Sequence, residues 1–211
     1  MKITKLGHCC LLIEEAGLRI LTDPGMFTVE EVSALNVDLV LITHEHPDHL
    51  HMDSVKKILT NSPKVQVVTN TAVGKILAEA GISFGKIENG QSEKLNGLVI
   101  EGYGDKHEEI YEEYGQVQNT GFFINNKLFY PGDALTNPGK PIEILALPAI
   151  GPWVKTKDAI KYALELNPKH CFPVHDGIVT VPVVFHMPLD QFLNKNKINF
   201  NPLTPGQGLE I

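Results

Sequence analysis

The stretch from Val37 to Leu50, VDLVLITHEHPDHL, constrains what this chain can become more than any other. Its first half is an almost unbroken run of Val, Leu and Ile, the pattern of a strand buried on both faces. Its second half crowds three imidazoles and two carboxylates into the six residues from His44 to His49, a density that packing does not ask for. If residues 44–46 stay extended, His44 and His46 project to one side and Glu45 to the other, because side chains alternate along a strand. Pro47 holds His46 away from the helical region and has no amide hydrogen, so the chain turns before Asp48 and His49 and can set this second pair beside the first. The helical zinc motif H-E-x-x-H does not fit, since Asp48 stands four positions after His44 and a proline lies inside the would-be helix.

HEHPDH is an instance of H-x-H-x-D-H and resembles the signature of the metallo-β-lactamase superfamily of metal-dependent hydrolases. The resemblance extends from GHCC (residues 7–10) to PVHDG (residues 173–177) and is nearest to the small members similar to ascorbate-phosphate lactonase. It implies an α/β fold, a four-layer αββα sandwich formed as one domain over residues 1–211. It also implies two divalent ions, zinc first, with manganese or iron as alternatives, because imidazole and carboxylate donors do not select among them. His44, His46 and His107 would surround one ion, Asp48, His49 and His175 the other, and Asp133 of FYPGDAL would bridge them. His107 of the polar loop GDKHEEIYEEYG, residues 104–115, reads by itself as solvent-exposed; the resemblance makes it a ligand, because it follows a strand in the interval where the family supplies the third ligand to the first ion. By the same resemblance His8 is expected close to the metals as a catalytic group beside Asp48, the proton acceptor, and Asp23 beneath the metal loop.

Length and composition bound the rest. With 211 residues and 43% apolar content the chain can bury a full core. It has neither a run of about 18 apolar residues nor a basic-then-apolar start, so the expectation is a soluble, cytoplasmic protein without membrane contact. A formal charge of −7 without a Lys/Arg cluster argues against a nucleic-acid partner and leaves a small-molecule substrate. Oligomeric state is open. Cys9, Cys10 and Cys171 have no C-x-x-C spacing and read as buried packing residues. The rival functions are a non-catalytic metal-binding or scaffolding role and a nuclease-type phosphodiesterase; flavin-dependent di-iron chemistry is disfavoured because His46 stands where such relatives carry Glu.

Along the chain, an opening meander (Lys2 to Leu6, Cys10 to Glu14, Leu18 to Asp23) precedes a helix capped by Asp53 or Ser54. Lys64 to Thr69 reads as a strand and Thr71 to Ala80 as a helix. A second sheet begins with a hairpin at Asn96-Gly97 and continues through Gly121 to Asn125, Lys127 to Tyr130, Ile142 to Leu147 and Lys169 to Val174. A helix from Thr156 to Leu166, capped by Thr156, and a short one near Leu189 to Leu193 complete the expected elements. His51, His170 and His186 read as surface or structural residues; Trp153 is open between core and pocket wall.

Overall fold

The computed structural model describes residues 1–28, 36–95 and 97–211, so Asn96 of the expected hairpin turn lies outside the described residues. The first half runs β1 (Lys2–Lys5), β2 (Leu11–Glu15), β3 (Leu18–Thr22), β4 (Leu39–Leu41), α1 (Met52–Asn61), β5 (Gln66–Thr69), α2 (Thr71–Glu79) and β6 (Gly85–Lys86). The second runs β7 (Ser92–Leu95), β8 (Leu98–Tyr103), β9 (Gly121–Ile124), β10 (Leu128–Tyr130), β11 (Ile144–Pro148), α3 (Thr156–Leu166), β12 (His170–Val174), α4 (Val183–Lys195) and β13 (Asn199–Phe200). A last strand, β14 (Gly208–Glu210), returns to the first half.

Two seven-stranded sheets result, ordered β14-β1-β2-β3-β4-β5-β6 and β13-β12-β11-β10-β9-β8-β7. Each is antiparallel at one end and parallel at the other: β3, β4, β5 and β6 run parallel in the first, β10, β11, β12 and β13 in the second. In part the pattern follows from the linkers: the tight turns β1–β2, β2–β3, β7–β8 and β9–β10 make antiparallel neighbours, while α1, α2, α3 and α4 each join parallel ones.

Alternation along the strands sorts the apolar residues into three layers. Leu39 and Leu41 of β4 and Ile144 and Ala146 of β11 face the core between the sheets. Val40 turns the other way to pack under Val55 and Ile58 of α1 and Val73 and Leu77 of α2. Leu145 and Leu147 do the same under Ala159 and Ala163 of α3 and Leu189 and Leu193 of α4. The four-layer αββα sandwich expected from the sequence is the architecture found. No helix among the described residues is long and apolar enough to cross a membrane.

Three local expectations need correction. α1 starts one turn earlier than Asp53 or Ser54 would cap it: His51 is the N-cap, and its Nδ1 pairs with Ser54 Oγ at 2.9 Å. α3 has Lys155, not Thr156, as its N-cap, with no side chain accepting from the first turn. α4 begins at Val183 and contains Pro188. That proline removes one helical hydrogen bond, but burial of His186, Leu189 and Leu193 along one face outweighs the loss.

The turn after β3 is pressed against the loop after β4. A Cβ on Gly25 would stand 1.7 Å from the carbonyl oxygen of Asp48 and 2.0 Å from its carbon, and backbone cannot swing aside as a side chain can. Gly25→Ala is therefore expected to destabilise the metal-free protein by about 1–3 kcal/mol, a fall of roughly 2–10 °C in thermal midpoint for a domain of this size. Calorimetry on chelator-treated protein checks this, and an unchanged midpoint would mean that the two loops part at little cost.

Candidate metal centre

β4 delivers the motif loop to the end of the first sheet. Its ladder continues one residue beyond the strand through Ile42 N to Val68 O (3.1 Å), and the next residue, Thr43, is tied from several sides. Thr43 N donates to Asp23 Oδ1 and Thr43 Oγ1 to Asp23 Oδ2, both at 2.7 Å. Its carbonyl accepts from Asn70 Nδ2 at 2.8 Å and from Thr120 N at 3.0 Å. The chain then reverses after Pro47, with His49 N and Leu50 N both donating to His46 O (2.9 and 2.8 Å). This turn lays His49 against His44, their rings 3.9 Å apart.

The second sheet supplies the facing side. His107 is held by His107 N to Val117 O at 3.0 Å, which pinches the polar loop shut at its base. Asp133 follows β10 in a turn where Gly132 adopts φ +65° against Asn119 and Thr43, a conformation and closeness that favour glycine. Asn119 Oδ1 accepts from Asp133 N at 3.1 Å and fixes the carboxylate's direction. His175 follows β12 with φ +60°, unusual for a side chain of this size, and its amide donates to His8 O at 3.0 Å.

Two clusters form. The ligand atoms of His44, His46, His107 and Asp133 lie within 4.8 Å of one another, and so do those of Asp48, His49, Asp133 and His175. All seven residues anticipated from the sequence therefore meet at one edge, and Asp133 belongs to both groups. Contacts across the clusters include 3.3 Å for His107 Nε2 to Asp133 Oδ2, 3.2 Å for His49 Nε2 to Asp133 Oδ1 and 3.4 Å for His175 Nε2 to Asp48 Oδ2. Donor atoms bonded at about 2.0–2.1 Å to one tetrahedral zinc are separated by about 3.3 Å, so these spacings suit a shared cation. The 2.9 Å from His175 Nε2 to Asp133 Oδ2 is the tightest of these contacts.

The tautomers agree with that reading. His49 Nδ1 donates to Asp23 Oδ2 (2.7 Å), His107 Nδ1 to Glu108 O (2.6 Å) and His175 Nδ1 to Ile150 O (2.5 Å). Thr43 Oγ1 has given its proton to Asp23 and so accepts from His44 Nδ1 at 3.0 Å. In each case the proton sits on Nδ1, and the lone pair on Nε2 points into the cluster, as metal-binding imidazoles require. His44 Nε2 and Asp133 Oδ1 are buried without a hydrogen-bond partner, a costly arrangement that a cation would relieve. Burial first, then the His49 imidazole, holds the pKa of His44 well below its ordinary value. Burial would raise that of Asp133, but His175 and His49 outweigh it and keep the group ionised. The donor set thus fits two divalent ions.

His8 differs from the ligands. Gly177 N donates to its Nδ1 at 3.0 Å, which leaves the ring proton on Nε2, 3.4 Å from Asp48 Oδ2. His8 is 1% exposed and does not line the cavity, but it stands close to the clusters and beside Asp48. His186, read as a surface residue, is buried, with Nε2 3.0 Å from Asp176 Oδ2. Asp176 also receives the buried Lys5 Nζ, so a residue of β1 anchors the loop that carries His175. The three cysteines are buried as expected, but Cys9 is more than packing: its Sγ lies 3.6 Å from His49 Nε2. Burial would push its thiol up, yet the His49, His8 and His175 imidazoles bring it down to about 7. Thr43, Asn119 and Tyr130 also escaped the sequence reading, although Thr43 directly precedes His44.

A cavity of about 400 Å³ opens over the clusters, its wall including Ile110, Tyr114 and Trp153. Trp153 stands edge-on to both His107 and His175, each ring centroid 5.6 Å away, which settles it as pocket wall.

Residues 2–175 match the family described as the beta-lactamase superfamily domain. Protein Rv0786c of Mycobacterium tuberculosis is 30% identical over 184 residues, spanning 85% of this chain and 85% of that one. A UPF0173 metal-dependent hydrolase of Carboxydothermus hydrogenoformans is 28% identical over 233 residues, spanning 98% of each. Among solved structures, Igni18, a metallo hydrolase of the archaeon Ignicoccus hospitalis, superposes with a TM-score of 0.79 at 21% identity, covering 100% of this chain and 98% of that one.

Asp23→Asn tests how the donor set is held. An amide would turn a donor toward Thr43, His49 and Tyr130, all of which already donate to this carboxylate. Metal affinity, read by competition with a chelator, is expected to fall about 10–100-fold. Tyr130→Phe, which removes one of those bonds and keeps the ring, should lower it less.

Proposed function

The chain belongs to the beta-lactamase superfamily domain family, as a metal-dependent hydrolase, and we propose that it cleaves a small carbon ester or lactone. The observation that carries this reading is the membership of Asp133 in both clusters, which sets two cation positions side by side. Held by His44, His46, His107, Asp48, His49, His175 and Asp133, two divalent ions, zinc first and manganese or iron as alternatives, would supply Lewis acidity and would lower the pKa of a water to about 7.

The chain's own groups divide the remaining work. Asp48 takes the proton of the attacking water: its side chain is 20% exposed and lines the cavity, whereas that of Asp133 is 3% exposed and committed to both clusters. His8 acts through Asp48, since its Nε2 proton faces Asp48 Oδ2 and cannot reach the cavity. It is a positioning residue that keeps the carboxylate turned toward the water. Carbon esters are preferred over phosphodiesters because, among the described residues, no Lys or Arg lines the cavity to meet a phosphate. The resemblance to small lactonase-like members points the same way. A purely binding or scaffolding role is disfavoured by the complete donor set.

A panel of acyl-homoserine and sugar lactones, aryl esters and bis-aryl phosphodiesters, assayed on protein carrying two ions per chain, tests the reaction class. Turnover of esters or lactones is expected; a phosphodiester-only profile overturns the preference, and silence across the panel removes it. Asp48→Ala should lower kcat by at least about 100-fold with circular dichroism unchanged, and a variant keeping both ions and full rate would refute the role. His8→Ala should lower kcat about 10–100-fold with KM and metal content unchanged, and His8→Gln, which retains an N–H donor, should recover part of the loss.

A further inference from the structure

The cavity is walled on one side by chemistry that the reaction does not use. Pro47, Ile110, Tyr114, Pro152 and Trp153 make up the apolar part of the lining, beside the ligands. Tyr114 lines this space while remaining 74% exposed, an aromatic ring with little protein over it. It is also firmly presented. Tyr114 N donates to Tyr111 O at 3.0 Å, Glu112 N to Glu109 Oε1 at 3.2 Å, and the loop's base is closed at His107 and Val117. Glu108, Glu109, Glu112 and Glu113 ride on the same loop against one nearby cation, Lys106, so the rim repels anions.

We propose, building on the ester or lactone reading above, that this face is an acyl-group subsite, in which Trp153 and Tyr114 clasp the uncharged aliphatic or aryl part of the substrate. The cavity as a whole, about 400 Å³, lies within the range of about 300–1,000 Å³ for small-molecule sites. Among the described lining residues the only carboxylates, Asp48 and Asp133, belong to the metal clusters, and the rim glutamates Glu108, Glu109, Glu112 and Glu113 stand outside the lining. An anionic substituent finds no Lys or Arg in that lining. The unfilled need of the wall is for apolar surface, and covering Tyr114 and Trp153 with a hydrocarbon group removes it from water.

Trp153 is the only tryptophan of the chain, so its fluorescence reports occupancy without any turnover. The metal-loaded protein is titrated with N,N-dimethylalkanamides of increasing chain length, and with hexyltrimethylammonium and hexanesulfonate as charged counterparts. The dissociation constant of the amides is expected to fall about three- to fourfold per methylene until the cavity is full. Tyr114→Ala, a change at an exposed position that the fold tolerates, should flatten that dependence. Affinity independent of chain length overturns the subsite, as does tighter binding of either charged probe than of the amide of equal length. The two readings fail separately. A steep chain-length dependence in protein that turns over no ester keeps the apolar subsite and removes the hydrolytic role, whereas ester turnover with flat amide binding does the reverse.

Discussion

A single buried carboxylate holds the centre together. Asp23, 0% exposed, accepts from Thr43 N, Thr43 Oγ1, His49 Nδ1 and Tyr130 Oη at 2.6–2.7 Å. Removing an ionised group from water is expensive unless nearly every lone pair is met, and here four donors meet them. Three of the four lie in the motif loop; the fourth belongs to β10 of the opposite sheet, whose ring fills the core between the sheets. The interaction that orients the metal ligands is therefore also one that binds the two halves of the sandwich. Burial, followed by the Asp23 charge, pushes the pKa of Tyr130 well above its ordinary value, so the phenol keeps the proton it donates.

The twofold use of one strand pattern explains why seven ligands converge. In both sheets the parallel strands end at the same edge, and side chains from separate segments gather there without any being long. Sites at the carboxyl ends of parallel strands are a general property of such sheets. What is particular here is that neither half is sufficient: His44 and His46 come from one, His107 and Asp133 from the other.

Much of this was legible in the sequence, for identifiable reasons. HEHPDH condenses a strand end, a turn and four donors into adjacent positions, so local rules reach it. The layers follow from apolar alternation that Leu39, Val40 and Leu41 state plainly. Most of the failures are non-local. His186 lies in a polar-looking tail, and only Asp176 and Lys5, the latter from the first strand, make burying it tolerable. His8 has a neighbour, Gly177, that no spacing rule connects to it, and that one amide decides which nitrogen carries its proton. Cys9 reads as a small apolar residue until His49 is beside it. Helix starts were misplaced because His51 and Lys155 cap by backbone conformation alone, without the side-chain acceptor that sequence rules look for.

The pairing of Ile3 with Leu209 brings the first strand against the last described one, so the sheet that carries HEHPDH is completed across nearly the whole chain. Contacts of such separation form slowly, because a large loop must close before they give any return. The donors complete in a different order: the first cluster has all its members once Asp133 has been synthesised, the second only with His175. The two seats thus draw on different lengths of the chain: the one around His44, His46 and His107 closes at residue 133, the other only at residue 175.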